Sequence, residues 1–132
     1  MHSPPSVLVV DDEAAIMMAL VLRMKAGGFS VCGVASTKDE SVELATREKP
    51  DFILMDIRLI GQFDGIEAAR EIMAVNKDVR IIFISGYSDG EVFRKAMDLK
   101  PLAYLVKPVN VVDVLSIMRQ CIENTAREPK RC

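Results

Sequence analysis

The fold class that this sequence predicts is a doubly wound α/β sandwich, and three observations predict it. Short apolar, β-rich runs alternate with helical patterns along the chain. The runs Val7–Val10, Phe52–Met55 and Ile81–Ile84 are apolar at every position, as strands buried on both faces of a parallel sheet must be. A length of 132 residues suits one compact domain whose core needs no disulfide or metal staple.

Each element follows from its own signals. Val7–Val10 is the first strand, stopped by Asp11-Asp12. Ile16, Met17, Leu20, Val21 and Met24 repeat at helical spacing, and Gly27-Gly28 ends that helix. Val31–Ala35 is the second strand. Thr37 and Glu40 form a capping-box pattern for a helix through Glu48, with Val42, Leu44 and Ala45 as its apolar face and Pro50 as its stop. Phe52–Met55 is the third strand, ending on Asp56. A loop with Gly61, Asp64 and Gly65 leads to a helix over about 66–75. Ile81–Ile84 is the fourth strand, ending at Ser85-Gly86, and a weaker helix covers about 90–99. Leu102–Val106 is the fifth strand, ending at Lys107-Pro108. The last helix spans about 111–124, with Val111, Val114, Leu115, Met118 and Ile122 on one face. Strands joined by helical crossovers run parallel, and the crossovers are right-handed.

Composition excludes several classes. Half the chain is apolar and 27% is charged, which rules out disorder. The longest apolar run, Ala14–Leu22, falls well short of the roughly 20 residues a bilayer requires. Prolines at the N-terminus replace the apolar stretch of a signal peptide, so a cytoplasmic location is expected. A net charge of −2 argues against direct nucleic-acid binding. Cys32, Cys121 and Cys132 lack metal-ligand spacing, and the single histidine, His2, accompanies none of them. They read as thiols of a reducing compartment.

Ligands of open parallel sheets bind beyond the carboxyl ends of the strands. There the sequence puts Asp11-Asp12, Asp56, Ser85 and Lys107. Singly, each has an ordinary reading: a helix cap for Asp11 or Asp12, a loop acid, a turn serine, a solvated lysine. Together they form a costly cluster. At an effective dielectric near 20, two carboxylates about 5 Å apart repel by roughly 3 kcal/mol. Lys107 offsets part of that charge, and a hard divalent cation such as Mg²⁺ would offset more. A carboxylate nucleophile beside such a metal can accept a phosphoryl group, with hydroxyl and ammonium facing the transferred oxygens.

The sequence resembles the receiver domains of two-component response regulators. The resemblance rests on VLVVDDE (7–13), DFILMDIRL (51–59), DGIEAAREI (64–72), IIFISGYSD (81–89) and AYLVKPV (103–109), in the family's order and spacing. It covers about residues 5–124. It implies a flavodoxin-like (βα)5 fold with strand order 2-1-3-4-5, a receiver domain over 1–126 and a tail over 127–132. It also implies that Asp56 is the phosphoacceptor, and that Mg²⁺ is held by Asp11, Asp12, Asp56 and the Arg58 carbonyl. Ser85 and Lys107 would contact the phosphoryl group, Ser85 and Tyr104 would act as the switch, and Lys107-Pro108 would be cis.

The implied partners are a histidine kinase or histidine phosphotransfer protein, and a downstream protein or output domain on the α4-β5-α5 face. No membrane partner is implied. The chain would catalyse only its own phosphorylation and dephosphorylation, without being a turnover enzyme. Arg58 and Tyr87, two residues past Asp56 and Ser85, would shield the acyl phosphate. The stretch 56–65, DIRLIGQFDG, departs from the common family form by one extra residue and by Ile60-Gly61 in place of a proline.

Rival classes fit less well. A haloacid-dehalogenase-type phosphatase needs an acid where Arg58 stands. A nucleotide-binding enzyme needs a glycine-rich loop where VVDDEAAI has no glycine. The alternative is a non-phosphorylated pseudo-receiver acting as an interaction module, which would lack an acid or the lysine. Too few residues follow the last helix for a helix-turn-helix module, leaving either a single-domain receiver or a piece of a longer regulator or hybrid kinase.

Overall fold

The computed structural model describes residues 4–58, 64–86 and 90–127. Ten elements alternate: β1 (Ser6–Val10), α1 (Ala14–Ala26), β2 (Ser30–Ala35), α2 (Lys38–Glu48), β3 (Phe52–Asp56), α3 (Asp64–Val75), β4 (Arg80–Ser85), α4 (Gly90–Met97), β5 (Ala103–Val106) and α5 (Val111–Arg127). The strands form one parallel sheet in the order β2-β1-β3-β4-β5. Fold class and strand order are those expected.

Side chains alternate across a strand, so each central strand feeds two cores. Leu8, Val10, Ile53, Met55, Ile81 and Phe83 pack with Ala45, Ala69, Ile72 and Ala96, which places α2, α3 and α4 on that face. Val7, Val9, Phe52, Leu54, Ile82 and Ile84 pack with Leu20, Met24, Val114 and Met118 of α1 and α5. Each of the larger side chains among them contributes about 1.5–3 kcal/mol by leaving water. The edge strands β2 and β5 are only partly buried, and β2 carries a register irregularity, pairing Val7 with Val31 but Leu8 with Gly33. That irregularity leaves Cys32 as the extra residue of the edge strand.

Local chemistry explains the boundaries. The Thr37 hydroxyl accepts from the Glu40 N–H at 3.1 Å, as the capping pattern requires. The returning Glu40 carboxylate accepts from the Ser36 N–H at 3.1 Å, one residue earlier than the expected partner. At the end of α1, the Phe29 N–H donates to Met24 O at 3.0 Å across Gly28, whose φ of +95° is the left-handed turn expected of this pair.

Two helix ends had no glycine to signal them. Lys49 (φ 48°) caps α2 and Lys100 (φ 54°) follows α4, each in the left-handed region and each before a proline. Accordingly α4 stops at Met97 instead of near Leu99. The last helix runs to Arg127, past the expected end at Asn124, because no glycine or proline intervenes there. The expected boundary between domain and tail therefore falls within its final turn. Among the described residues no helix is long and apolar enough to cross a membrane. His2, Cys132, the loop residues Ile60 and Gly61, and Tyr87 lie outside the described residues.

Candidate functional site

The carboxyl edge of the sheet gathers the polar residues. Asp56 ends β3, flanked by β1, whose chain continues into Asp11-Asp12, and by β4, which ends in Ser85. Ser85 pairs with Val106, and the Lys107 N–H donates to Ser85 O at 2.7 Å, so Lys107 leaves β5 beside Ser85. Parallel pairing alone thus brings four strand ends together. One carboxylate oxygen from each of Asp11, Asp12 and Asp56 lies within 4.8 Å of the other two. Asp11, Asp56 and Ser85 are buried, and Asp12 is exposed.

Two aspartates are fixed by the same device. The Glu13 N–H donates to Asp11 Oδ1 at 2.8 Å, and the Arg58 N–H donates to Asp56 Oδ1 at 3.1 Å. Each is a carboxylate held by the backbone two residues on. The alternative of Asp11 or Asp12 as the cap of α1 is corrected here. The N-cap is Glu13, without a side-chain cap bond, and Asp11 lies two residues before it.

Lys107 supplies the positive charge. Its ammonium donates to Asp56 Oδ2 at 3.0 Å and stands 3.9 Å from Asp11 Oδ2 and 4.0 Å from Glu13 Oε1. Burial pushes the Asp11 carboxyl up from its ordinary value of 3.8 to about 6, despite the Glu13 N–H bond and the Lys107 charge, and the Asp56 and Asp12 charges add to the rise. Burial also raises Asp56, against the opposing bond and charge of Lys107. For Lys107 burial acts downward but is outweighed, and its pKa rises because Asp56, Asp11 and Glu13 surround it. The cluster thus binds protons more tightly than its separate groups would.

Tyr104 is half-buried on β5, and its ring meets Phe93 of α4 edge to face with centroids 5.0 Å apart. Lys107-Pro108 is cis, as expected. Arg58 is exposed just beyond Asp56.

Two residues near the site had no role from the sequence alone. Glu13 is the third of three consecutive acids, and its reach to Lys107 depends on the turn after β1. Gly65 is the other: a Cβ there would sit 2.2 Å from Asp56 O and 2.6 Å from Ile57 Cα. Its N–H donates to Ile57 O at 2.8 Å, so α3 begins pressed against the backbone that carries Asp56. A glycine opening a helix, where glycine is a poor helix former, was the available signal.

A buried aspartate beside two further acids and a lysine, at the carboxyl edge of a 2-1-3-4-5 sheet, defines a response-regulator-type receiver unit. The family model for the response regulator receiver domain matches residues 7–119, and the chain belongs to that family. The transcriptional regulatory protein PdtaR of Mycobacterium tuberculosis is 37% identical over 112 residues, covering 85% of this chain and 54% of that protein. The chain therefore spans about half the length of that relative.

Among solved structures, a CheY-like receiver domain protein from Methanospirillum hungatei matches with a TM-score of 0.88 and 25% identity, over 96% of this chain and all of that one. The CheX-CheY-BeF3-Mg²⁺ complex from Borrelia burgdorferi matches with a TM-score of 0.82 and 25% identity, over 90% of each chain.

Proposed function

We propose that this receiver domain accepts a phosphoryl group on Asp56 from the phosphohistidine of a histidine kinase or histidine phosphotransfer protein. The observation that carries the reading is the Asp56 carboxylate, buried, 3.0 Å from the Lys107 ammonium and grouped with Asp11 and Asp12.

An all-oxygen set of three acids, one open to water, fits a hard divalent cation such as Mg²⁺. Asp11, Asp12, Asp56 and the Arg58 carbonyl would hold it. Its chemistry would be to neutralise charge on the transferring phosphoryl oxygens. The remainder is the work of the chain. Asp56 attacks phosphorus through one carboxylate oxygen, an O–P bond forms, the P–N bond to the donor imidazole breaks, and the imidazole leaves with that electron pair. Burial makes the Asp56 carboxylate more basic and a better nucleophile. Lys107 follows the negative charge from the carboxylate to the phosphoryl oxygens as a point charge, and Ser85 donates its hydroxyl to them.

An open apolar groove of about 500 Å³ adjoins Lys107, lined by Ile16, Leu20, Pro108, Val109 and Val111, and offers a donor protein contact area beside the reacting atoms. Phosphorylation adds about two negative charges, which Ser85 and Lys107 bind better in one arrangement of their loops than in the other. Tyr104 would follow Ser85 inward, leaving Phe93 and altering the α4-β5-α5 face, whose Phe93, Val106 and Val112 are exposed. The domain would turn over no separate substrate and would act where its kinase does, in the cytoplasm.

The test is intact mass after incubation with acetyl phosphate and Mg²⁺. One phosphate is expected on the wild type and none on Asp56→Asn. Uptake by that variant would assign another acceptor. No uptake by either would favour the pseudo-receiver reading, an interaction module that takes no phosphate.

A further inference from the structure

Glu13 is an acid at the site that the steps above leave unused. It occupies the N-cap of α1, yet its side chain makes no cap bond. Its backbone N–H is already committed to Asp11. Its carboxylate instead lies 4.0 Å from the Lys107 ammonium, with the side chain 62% exposed, whereas those of Asp11 and Asp56 are 2% and 4% exposed. A phosphodonor reaches buried Asp56 from the solvent side, where Asp12 and Glu13 are exposed and Glu13 stands 4.0 Å from the Lys107 ammonium.

Asp11, Asp12, Asp56 and Glu13 against Lys107 leave a formal excess of three negative charges. A divalent cation would leave one. Within this group of five, Glu13 contributes one unit of that negative charge on the exposed side of the site, where Arg58 is exposed as well.

We propose that Glu13 is a specificity-determining residue that discriminates among phosphodonors by charge, disfavouring dianionic small molecules relative to donors of lower charge. This inference rests on the phosphoacceptor reading of Asp56. A dianion feels twice the repulsion of a monoanion at the same place.

The experiment compares acetyl phosphate, a dianion at neutral pH, with phosphoramidate, a net monoanion. Asp56 takes the phosphoryl group in both, with acetate leaving in one and ammonia in the other. In Glu13→Gln the ratio of the acetyl phosphate rate to the phosphoramidate rate should rise about two- to fivefold, the scale of an exposed charge interaction. The rise should shrink in high salt. Glu13→Asp keeps the charge and should keep a ratio close to that of the wild type. Glu13 makes no cap bond, so neither variant removes one, and both should fold as the wild type does. An unchanged ratio in Glu13→Gln, or an equal shift in Glu13→Asp, overturns the inference while leaving Asp56 as acceptor. A wild type that takes phosphate from neither donor overturns both.

Discussion

β3 has an aspartate at each end, and the two are used in opposite ways. Asp51, just before the strand, is exposed and stitches the sheet together. Its carboxylate accepts from the Ser6 N–H at 2.9 Å, its N–H donates to the Ser6 carbonyl at 3.1 Å, and its carbonyl accepts from the Arg80 N–H at 3.0 Å. It thereby joins β1, β3 and β4 through neutral groups. Asp56, at the other end, is buried against two further acids and balanced by one lysine. The first arrangement adds stability with nothing else bound. The second carries a charge excess that protons or a bound cation relieve. On the proposed function, the acid satisfied by neutral donors serves the fold and the acid crowded by its own kind serves the phosphoryl chemistry.

The largest effect is expected at Gly65, where the backbone of Asp56 leaves no room for a side chain. Gly65→Ala should lose about 3 kcal/mol in urea denaturation, the upper scale of overpacking, because the near atoms are backbone and cannot turn aside. A loss below about 1 kcal/mol would mean that the start of α3 yields freely.

The next effect is a pH dependence of the acid cluster. Asp11 titrates near 6 in the fold against 3.8 unfolded, so the native state holds the proton more tightly. Its penalty is absent below the unfolded value and complete above the folded one. Metal-free stability should therefore fall as pH rises from about 4 to 6, and the raised Asp56 acts in the same direction. Measured as wild type minus Asp11→Asn, the fall should be about 2 kcal/mol, discounted from the full shift for residual solvent screening. Parallel curves for the two proteins would contradict the buried-acid account.

A smaller effect belongs to the other end of the strand. Asp51→Ala should lose about 1–2 kcal/mol, the cost of its bonds to Ser6, and should leave the response to Mg²⁺ unchanged. A variant as stable as the wild type would mean that water replaces Asp51 fully.

The sequence made the sheet legible because β1, β3 and β4 are buried on both faces, which no amphipathic strand mimics. The acid–lysine cluster was legible for a related reason, since parallel strands deliver their carboxyl ends to one edge. Elements governed by single backbone conformations were harder to read. Lys49 and Lys100 adopt left-handed turns that the sequence usually marks with glycine. Glu13 escaped assignment because its approach to Lys107 depends on how the chain turns after β1, which spacing does not encode. Gly65 stands inside the DGIEAAREI stretch, but its function is the absence of a Cβ against Asp56, visible only once α3 is docked.

The central claim is that the carboxyl edge keeps an unfavourable charge excess in order to bind a cation and then a phosphoryl group. Thermal melting of the wild type and Asp12→Asn, each in EDTA and in Mg²⁺, tests it most directly. In EDTA, Asp12→Asn should be more stable than the wild type by about 1–2 kcal/mol, because one repelling charge is gone. Mg²⁺ should stabilise the wild type and leave the variant unmoved. A variant that melts below the wild type in EDTA, or gains as much from Mg²⁺, would show that Asp12 serves the fold and that the cluster is not held for a ligand.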